Sequence, residues 1–178
     1  MKKAVFLDRD GVLNRSIVID GMPTSPQSPG ETTLYEDVED ACRRLRRMGY
    51  MLICVTNQPD IARGKQSLES IAEINTLIDS ALRLDDIRVC PHDDGDACLC
   101  RKPKPGLITD ACRDHCIDLS ISFMVGDRWR DIDAGRAAGC ATVFLDRGYR
   151  ERKADADHVC GGLGEAADWI IAREEGAA

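Results

Sequence analysis

Two aspartates stand two residues apart in Asp8-Arg9-Asp10-Gly11, directly after the apolar run Ala4-Val5-Phe6-Leu7. An apolar run of that length with charged flanks reads as a buried strand, and open α/β sheets bind ligands beyond the carboxyl ends of their strands. Both carboxylates are therefore expected at a binding edge, where a tight turn at Gly11 lets them converge on one small ligand. Taken alone, the pair is better explained as a strand-end turn rich in acids. Three further segments supply what a carboxylate attacking phosphorus needs. Met51 to Val55 leads into Thr56-Asn57-Gln58, which offers a hydroxyl and backbone N–H groups able to hold phosphate oxygens. Arg101-Lys102-Pro103-Lys104-Pro105 supplies cations. Gly126-Asp127 ends the apolar run Ile121 to Val125, and with Asp131 four residues on it offers carboxylates for a hard cation.

Charge counting says what such a set is for. A phosphate monoester brings about two negative charges at neutral pH, and Asp8 and Asp127 would add one each. One Mg²⁺ and one lysine offset most of that charge. Mg²⁺ favours a few carboxylates, waters and substrate phosphate over an all-protein cage.

A second cluster has metal-ligand spacing. Cys90, His92, Cys98 and Cys100 fall within the eleven residues from 90 to 100, and Cys₃His is a closed tetrahedral set suited to structural Zn²⁺. Its expected job is to fix Arg101 and Lys102, which follow directly; a set of core thiols is the alternative. The other six cysteines, Cys42, Cys54, Cys112, Cys116, Cys140 and Cys160, are expected mostly on buried faces.

The elements that must position these groups alternate along the chain. Four apolar runs read as strands: Ala4 to Leu7, Met51 to Val55, Ile121 to Val125 and Ala141 to Leu145. Helical spacing links Val38, Ala41, Cys42, Leu45 and Met48 before Gly49, and Leu68, Ile71, Ile74, Leu77, Ile78 and Leu82. Three more helices are predicted, from Pro105 through Cys116, from Asp131 to Ala138, and from Leu163 to Arg173. Alternation of this kind predicts an α/β fold, a doubly wound, Rossmann-like, mostly parallel sheet with helices on both faces. Residues 19–33, rich in Pro and Gly, read as an ordered surface flap, and residues 90–105 as the zinc loop. A length of 178 residues suits one domain without a large cap.

Composition narrows the partners. A net charge of −7 argues against nucleic acid or an anionic membrane surface. The apolar stretch after Met1-Lys2-Lys3 is too short for a signal-peptide core or a membrane span, so a cytoplasmic location is expected; separately, a monomer is expected. In that compartment nine cysteines, an odd number, do not make a disulfide framework.

The four segments together resemble the motifs of the haloacid dehalogenase-like phosphohydrolases: Asp8-Arg9-Asp10-Gly11, Thr56, a lysine in the third position, and Gly126-Asp127 in the fourth. Phe6 to Asn14, Thr56-Asn57-Gln58 with Ile61-Ala62-Arg63-Gly64, and Cys98 to Pro103 are most similar to the zinc-bearing subgroup that acts on heptose bisphosphates. Histidinol phosphate phosphatases share these motifs and rank second. The resemblance runs from about residue 3 to 148. It implies that Asp8 is the nucleophile, forming an aspartyl-phosphate, and that Asp10, protonated at the start, is the acid and later the base. It further implies that Thr56 and Lys102, rather than Lys104, hold the transferring group, and that Mg²⁺ binds Asp8, the carbonyl of Asp10 and Asp127. Asp131 is expected to brace the site without touching the metal. Asn57, Gln58, Arg63, Arg101 and Arg128 are the candidate contacts for a small phosphorylated sugar, with Arg130 beside them. The chain departs from the subgroup in Pro59-Asp60, where Ser-Gly is common, and in the short Asp93 to Ala97 insert. Receiver-like signalling domains, which also carry phosphate on aspartate beside Mg²⁺, are the alternative from another class; Asp10, two residues from the acceptor, favours turnover.

Overall fold

The computed structural model describes residues 1–176. Eight strands and five helices follow one another as β1 (Lys3–Leu7), β2 (Ile17–Ile19), β3 (Met22–Thr24), α1 (Val38–Arg47), β4 (Tyr50–Asn57), α2 (Leu68–Leu82), β5 (Asp86–Cys90), α3 (Gly106–His115), β6 (Phe123–Gly126), α4 (Trp129–Ala138), β7 (Ala141–Leu145), β8 (His158–Cys160) and α5 (Leu163–Glu175). Six strands form a parallel sheet in the order β5-β4-β1-β6-β7-β8. This is the doubly wound arrangement expected from the alternation of apolar runs and helical stripes.

Side chains of β1 alternate between two cores, as a period of two requires. Val5 and Leu7 pack with Val38 and Leu45 of α1, Ile74 and Ile78 of α2, and Leu163 and Ile170 of α5. Ala4 and Phe6 pack on the opposite face with Leu107, Ile108 and Ala111 of α3 and Ala134 of α4. The chain runs from β1 outward to β4 and β5, then returns through α3 to β6 on the other side of β1. A reversal of this kind opens a crevice at the carboxyl ends of the central strands. Leu7 of β1 lies level with Cys54 of β4 and Val125 of β6, so Asp8, Thr56 and Asp127 all emerge at one edge.

Several boundaries differ from the sequence expectation. Residue Ile121, taken as strand, closes a 3₁₀ turn and is exposed, so β6 begins only at Phe123. Leu68 opens α2 and points to solvent instead of joining the apolar stripe. Cys116, expected to be buried, is exposed at the end of α3, where the backbone turns left-handed (φ 57°). Edge strands β5 and β8 lack a long apolar run; Asp86 and Arg88 alternate with Ile87 and Val89. The flap begins at Ile17 and is partly a hairpin. Its turn at Asp20 (φ 52°) and Gly21 (φ 79°) uses the positive dihedrals that two-residue hairpins demand. A 3₁₀ turn at Pro29–Glu31 follows. No helix among the described residues is long and apolar enough to cross a membrane.

Candidate active site at the strand ends

Beyond β1 the chain folds sharply back, with Leu13 N–H bonded to Arg9 O at 2.9 Å and Gly11 N–H to Asn14 O at 2.7 Å. Gly11 has φ 92°, and a Cβ there would collide with the Asp127 carboxylate. Only glycine satisfies both conditions cheaply. The turn directs Arg9 inward, fully buried, where Nη1 donates to Asn75 Oδ1 at 3.0 Å. Its Nε and Nη2 each donate to one oxygen of Asp10 at 3.1 Å.

Asp10 is more heavily hydrogen-bonded than its expected role as an initial acid implies. Besides Arg9, it accepts from Asn14 Nδ2 at 2.9 Å, Ser25 Oγ at 2.7 Å and Gln58 Nε2 at 2.9 Å. Burial would raise its pKa, but the Arg9 guanidinium and these donors hold the carboxyl below its ordinary range. Donors on both oxygens favour the ionised form in this arrangement, whereas the expected role as initial acid requires the protonated one.

Lys102 is the centre of charge. Its buried Nζ donates to Asp8 Oδ1 at 2.7 Å, to Asp131 Oδ1 at 2.6 Å and to Val55 O at 2.7 Å, which uses all three ammonium hydrogens. Burial opposes its charge, but Asp131 and Asp8 overcome that and hold its pKa above the ordinary lysine value. Lys104 instead reaches the carbonyl of Cys98. For Asp8, burial and then the Asp131 charge push the pKa up to about 6, against the pull of Lys102.

Asp8, Asp127 and Asp131 bring carboxylate oxygens within 4.8 Å of one another. With all three ionised, one ammonium would leave the cluster two negative charges in excess, which is why Asp8 and Asp127 resist ionisation without a further cation. Neither oxygen of buried Asp127 makes a well-formed hydrogen bond; burial, then Asp8 and Asp131, drive its pKa well up, against the smaller pull of the neighbouring Tyr149 hydroxyl and of Lys102. The poorly partnered Asp127 carboxylate and this excess charge fit a divalent, oxygen-seeking cation. Asp131 has little left to offer one, since Lys102 takes one oxygen and Arg128 N–H donates to the other at 3.0 Å.

Two candidate substrate contacts have other tasks. Gln58 is buried, and its amide spans Thr56 Oγ (2.9 Å) and Asp10 Oδ2 (2.9 Å), behind the site instead of facing it. Asn57 borders the cavity, but its side chain both donates to Lys102 O (3.0 Å) and accepts from Lys102 N–H (3.1 Å). It fixes the lysine's backbone.

A cavity of about 340 Å³ opens over Asp8, Asp10, Thr56 and Lys102, with five cations, Arg63, Lys65, Arg101, Arg128 and Arg130, along its walls. Arg63 forms a two-bond pair with Asp93 at 2.7 Å each, Arg101 Nε meets Asp94 at 2.8 Å, and Arg130 meets Asp94 at 3.2 Å. Arg128 pairs with Glu151. Sequence reasoning missed Arg9, Asn14, Ser25, Lys65 and Glu151. Arg9 and Asn14 carried a signal, since both lie in the run from Phe6 to Asn14 that resembles the family, but their roles were not read from it.

The Cys₃His cluster closes as its spacing suggests. Cys90 Sγ lies 3.6 Å from His92 Nδ1, 3.8 Å from Cys98 Sγ and 3.2 Å from Cys100 Sγ, while His92 Nδ1 lies 3.3 Å from Cys100 Sγ. Zinc–ligand bonds of about 2.0–2.3 Å imply tetrahedral edges of roughly 3.5 Å, so these four atoms fit Zn²⁺. Strand β5 delivers Cys90, and Arg101 Nη1 donates to His92 O at 3.1 Å, tying the loop to the cavity wall.

Comparison with known proteins agrees with this geometry. The HAD-hydrolase-like family model matches residues 99–169. The D-glycero-beta-D-manno-heptose-1,7-bisphosphate 7-phosphatase of Yersinia pestis is 36% identical, covering 94% of this chain and 89% of that protein. The protein of the same name from Vibrio cholerae is 40% identical, covering 82% of each. The crystal structure of D,D-heptose 1,7-bisphosphate phosphatase from B. bronchiseptica, complexed with magnesium and phosphate, superposes with a TM-score of 0.84 at 31% identity, covering 96% of this chain and 99% of that one. The chain therefore belongs to the haloacid dehalogenase-like phosphatases, in the family that contains the D-glycero-β-D-manno-heptose-1,7-bisphosphate 7-phosphatases.

Proposed function

We propose that this chain removes the 7-phosphate of D-glycero-D-manno-heptose 1,7-bisphosphate through an aspartyl-phosphate on Asp8, with Mg²⁺ as catalytic and Zn²⁺ as structural ion. The observation that carries the reading is the buried Lys102 bridge between Asp8 and Asp131, beside the poorly partnered Asp127, at the floor of a cavity walled by cations. Asp8 attacks phosphorus, the bond to the sugar oxygen breaks, and Asp10 delivers a proton to that oxygen. Asp10 then takes a proton from water, which attacks the phosphorus of the aspartyl-phosphate and frees Asp8. To act as the acid Asp10 must carry a proton, which the donors around it in this arrangement oppose. Thr56 and Lys102 hold the transferring oxygens, where preorganised donors act most strongly.

Asp8, the backbone carbonyl of Asp10 and Asp127 would hold Mg²⁺, which when bound supplies neutralising charge for nucleophile and phosphate. Cys90, His92, Cys98 and Cys100 would hold Zn²⁺ and keep Arg101 and Lys102 in place. Arg63, Arg101 and Arg128 receive the part of the sugar that does not react. In this reading residues 1–178 work as one catalytic domain, a cytoplasmic monomer whose partner is a small phosphorylated sugar and neither nucleic acid nor membrane. Its product suits lipopolysaccharide biosynthesis. Phosphorus NMR of the bisphosphate incubated with protein and Mg²⁺ tests it: the 7-phosphate signal should convert to inorganic phosphate while the 1-phosphate persists. Loss of the 1-phosphate, or faster turnover of histidinol phosphate, would overturn the reading.

A further inference from the structure

The segment Arg147 to Glu151, following β7, touches the site repeatedly. Arg147 Nε donates to Gly11 O at 2.8 Å, which braces the turn that follows the two aspartates. Arg150 N–H donates to Gly21 O of the flap at 2.9 Å, and its side chain lies against that glycine. Glu151 reaches back and forks onto Arg128, taking Nε at 2.9 Å and also Nη2. Arg128 follows Asp127 directly, and its own N–H is bound by Asp131, so its backbone is fixed as well.

The acids that pair with the cavity's cations differ in exposure. Glu151 keeps 13% of its side-chain surface, against 21% for Asp60, 34% for Asp93 and 58% for Asp94. Arg63 is forked too, but onto the more exposed Asp93; in the Arg128 pair, whose arginine keeps 33% of its side-chain surface, it is the carboxylate that is buried, and a forked bond to a buried carboxylate sets the plane of the guanidinium. Two of the five guanidinium N–H groups of Arg128 are spent on Glu151, and among the described residues its Nη1 has no recorded acceptor.

We propose that Glu151 is a positioning residue that holds Arg128 ready to receive the second anionic group of the substrate, so that this chain's preference for a bisphosphate depends on it. A guanidinium already fixed in place surrenders little rotamer entropy when the anion arrives. The proposal rests on the bisphosphate reading above and names the residue that sets its selectivity.

Steady-state kinetics with heptose 1,7-bisphosphate and heptose 7-phosphate test it, since the two share one leaving group and differ in the second phosphate. In Glu151→Gln, the ratio of kcat/KM for bisphosphate over monophosphate should fall about tenfold, through KM for the bisphosphate and not kcat. Arg128→Gln should lower the ratio similarly, and the double variant should lower it no further than Arg128→Gln alone. An unchanged ratio in Glu151→Gln, or additive losses in the double variant, would overturn the proposal while leaving the functional reading intact. A wild-type protein with no preference for the bisphosphate would remove the functional reading and this proposal together, before any variant is made.

Discussion

Lys102 Nζ lies 2.7 Å from Asp8 Oδ1, and both groups are buried at the carboxyl edge of the sheet. The lysine arrives from the far end of the zinc loop, 94 residues along the chain, and Asp131 of α4 holds it from the other side at 2.6 Å. Replacing it with methionine keeps much of the volume but leaves two buried carboxylates without their cation. Lys102→Met is expected to lower kcat by about 100-fold or more. Asp131→Asn, which loosens the same ammonium without removing it, should cost about tenfold. Phosphate release assays on both variants check this ranking. An Asp131→Asn variant as inactive as Lys102→Met would show that Asp131 does more than hold the lysine.

Asp10 should matter in proportion to how badly the leaving group needs a proton. Asp10→Asn is expected to lose about 10²–10⁴-fold on a sugar phosphate, whose alkoxide leaves poorly. It should lose far less in the first step with p-nitrophenyl phosphate, whose phenolate leaves without help. Pre-steady-state bursts of nitrophenolate measure that step separately from hydrolysis of the intermediate. Equal losses for the two leaving groups would remove Asp10 from the acid role.

Protons and Mg²⁺ should compete at Asp8. Its folded pKa of about 6 lies above the ordinary 3.8, so between those values the unfolded chain has released a proton that the folded chain keeps. The contribution of Asp8 to stability is therefore lost as pH rises from about 4 to about 6 in magnesium-free buffer. Wild type should lose stability relative to Asp8→Asn across that window. Added Mg²⁺ should raise the melting temperature more at pH 7 than at pH 5, and this increment should vanish in Asp8→Asn. Thermal melts at matched ionic strength check the sign. A larger Mg²⁺ increment at pH 5 would contradict it.

How far the site was legible in the sequence depended on where each side chain's partner comes from. Asp8, Thr56 and Asp127 were readable because each follows an apolar run, and a parallel sheet carries all such ends to one edge. Cys90, His92, Cys98 and Cys100 were readable because their partners are local. Arg9, Ser25 and Glu151 were not, because their partners are set by tertiary packing: Arg9 meets Asn75 of α2, Ser25 swings in from the flap onto Asp10, and Glu151 finds Arg128 across the end of the sheet. Gln58 misled for a related reason. Its position after β4 matched a substrate contact, but the side chain satisfies Asp10 and Thr56 from behind. Strand β5 was hidden because an edge strand paired on one side tolerates Asp86 and Arg88 among its apolar residues.

Zinc should act through geometry and not through the reacting atoms. Cys98→Ser, or chelation, is expected to remove one zinc per chain, lower the melting temperature, and weaken activity through the displaced Arg101 and Lys102. Metal analysis beside a thermal melt measures both. Full activity and unchanged stability in zinc-free protein would deny the loop its scaffold role.

The claim on which the rest depends is that Asp8 becomes covalently phosphorylated. Rapid quenching of protein with heptose 1,7-bisphosphate and Mg²⁺, followed by peptide mass analysis, tests it most directly. A peptide carrying one added phosphoryl group at Asp8, formed and consumed at rates matching turnover and absent from Asp8→Asn, is the expected result. Full turnover by wild type with no phosphoryl group on Asp8 at any time, or by Asp8→Asn, would contradict the account.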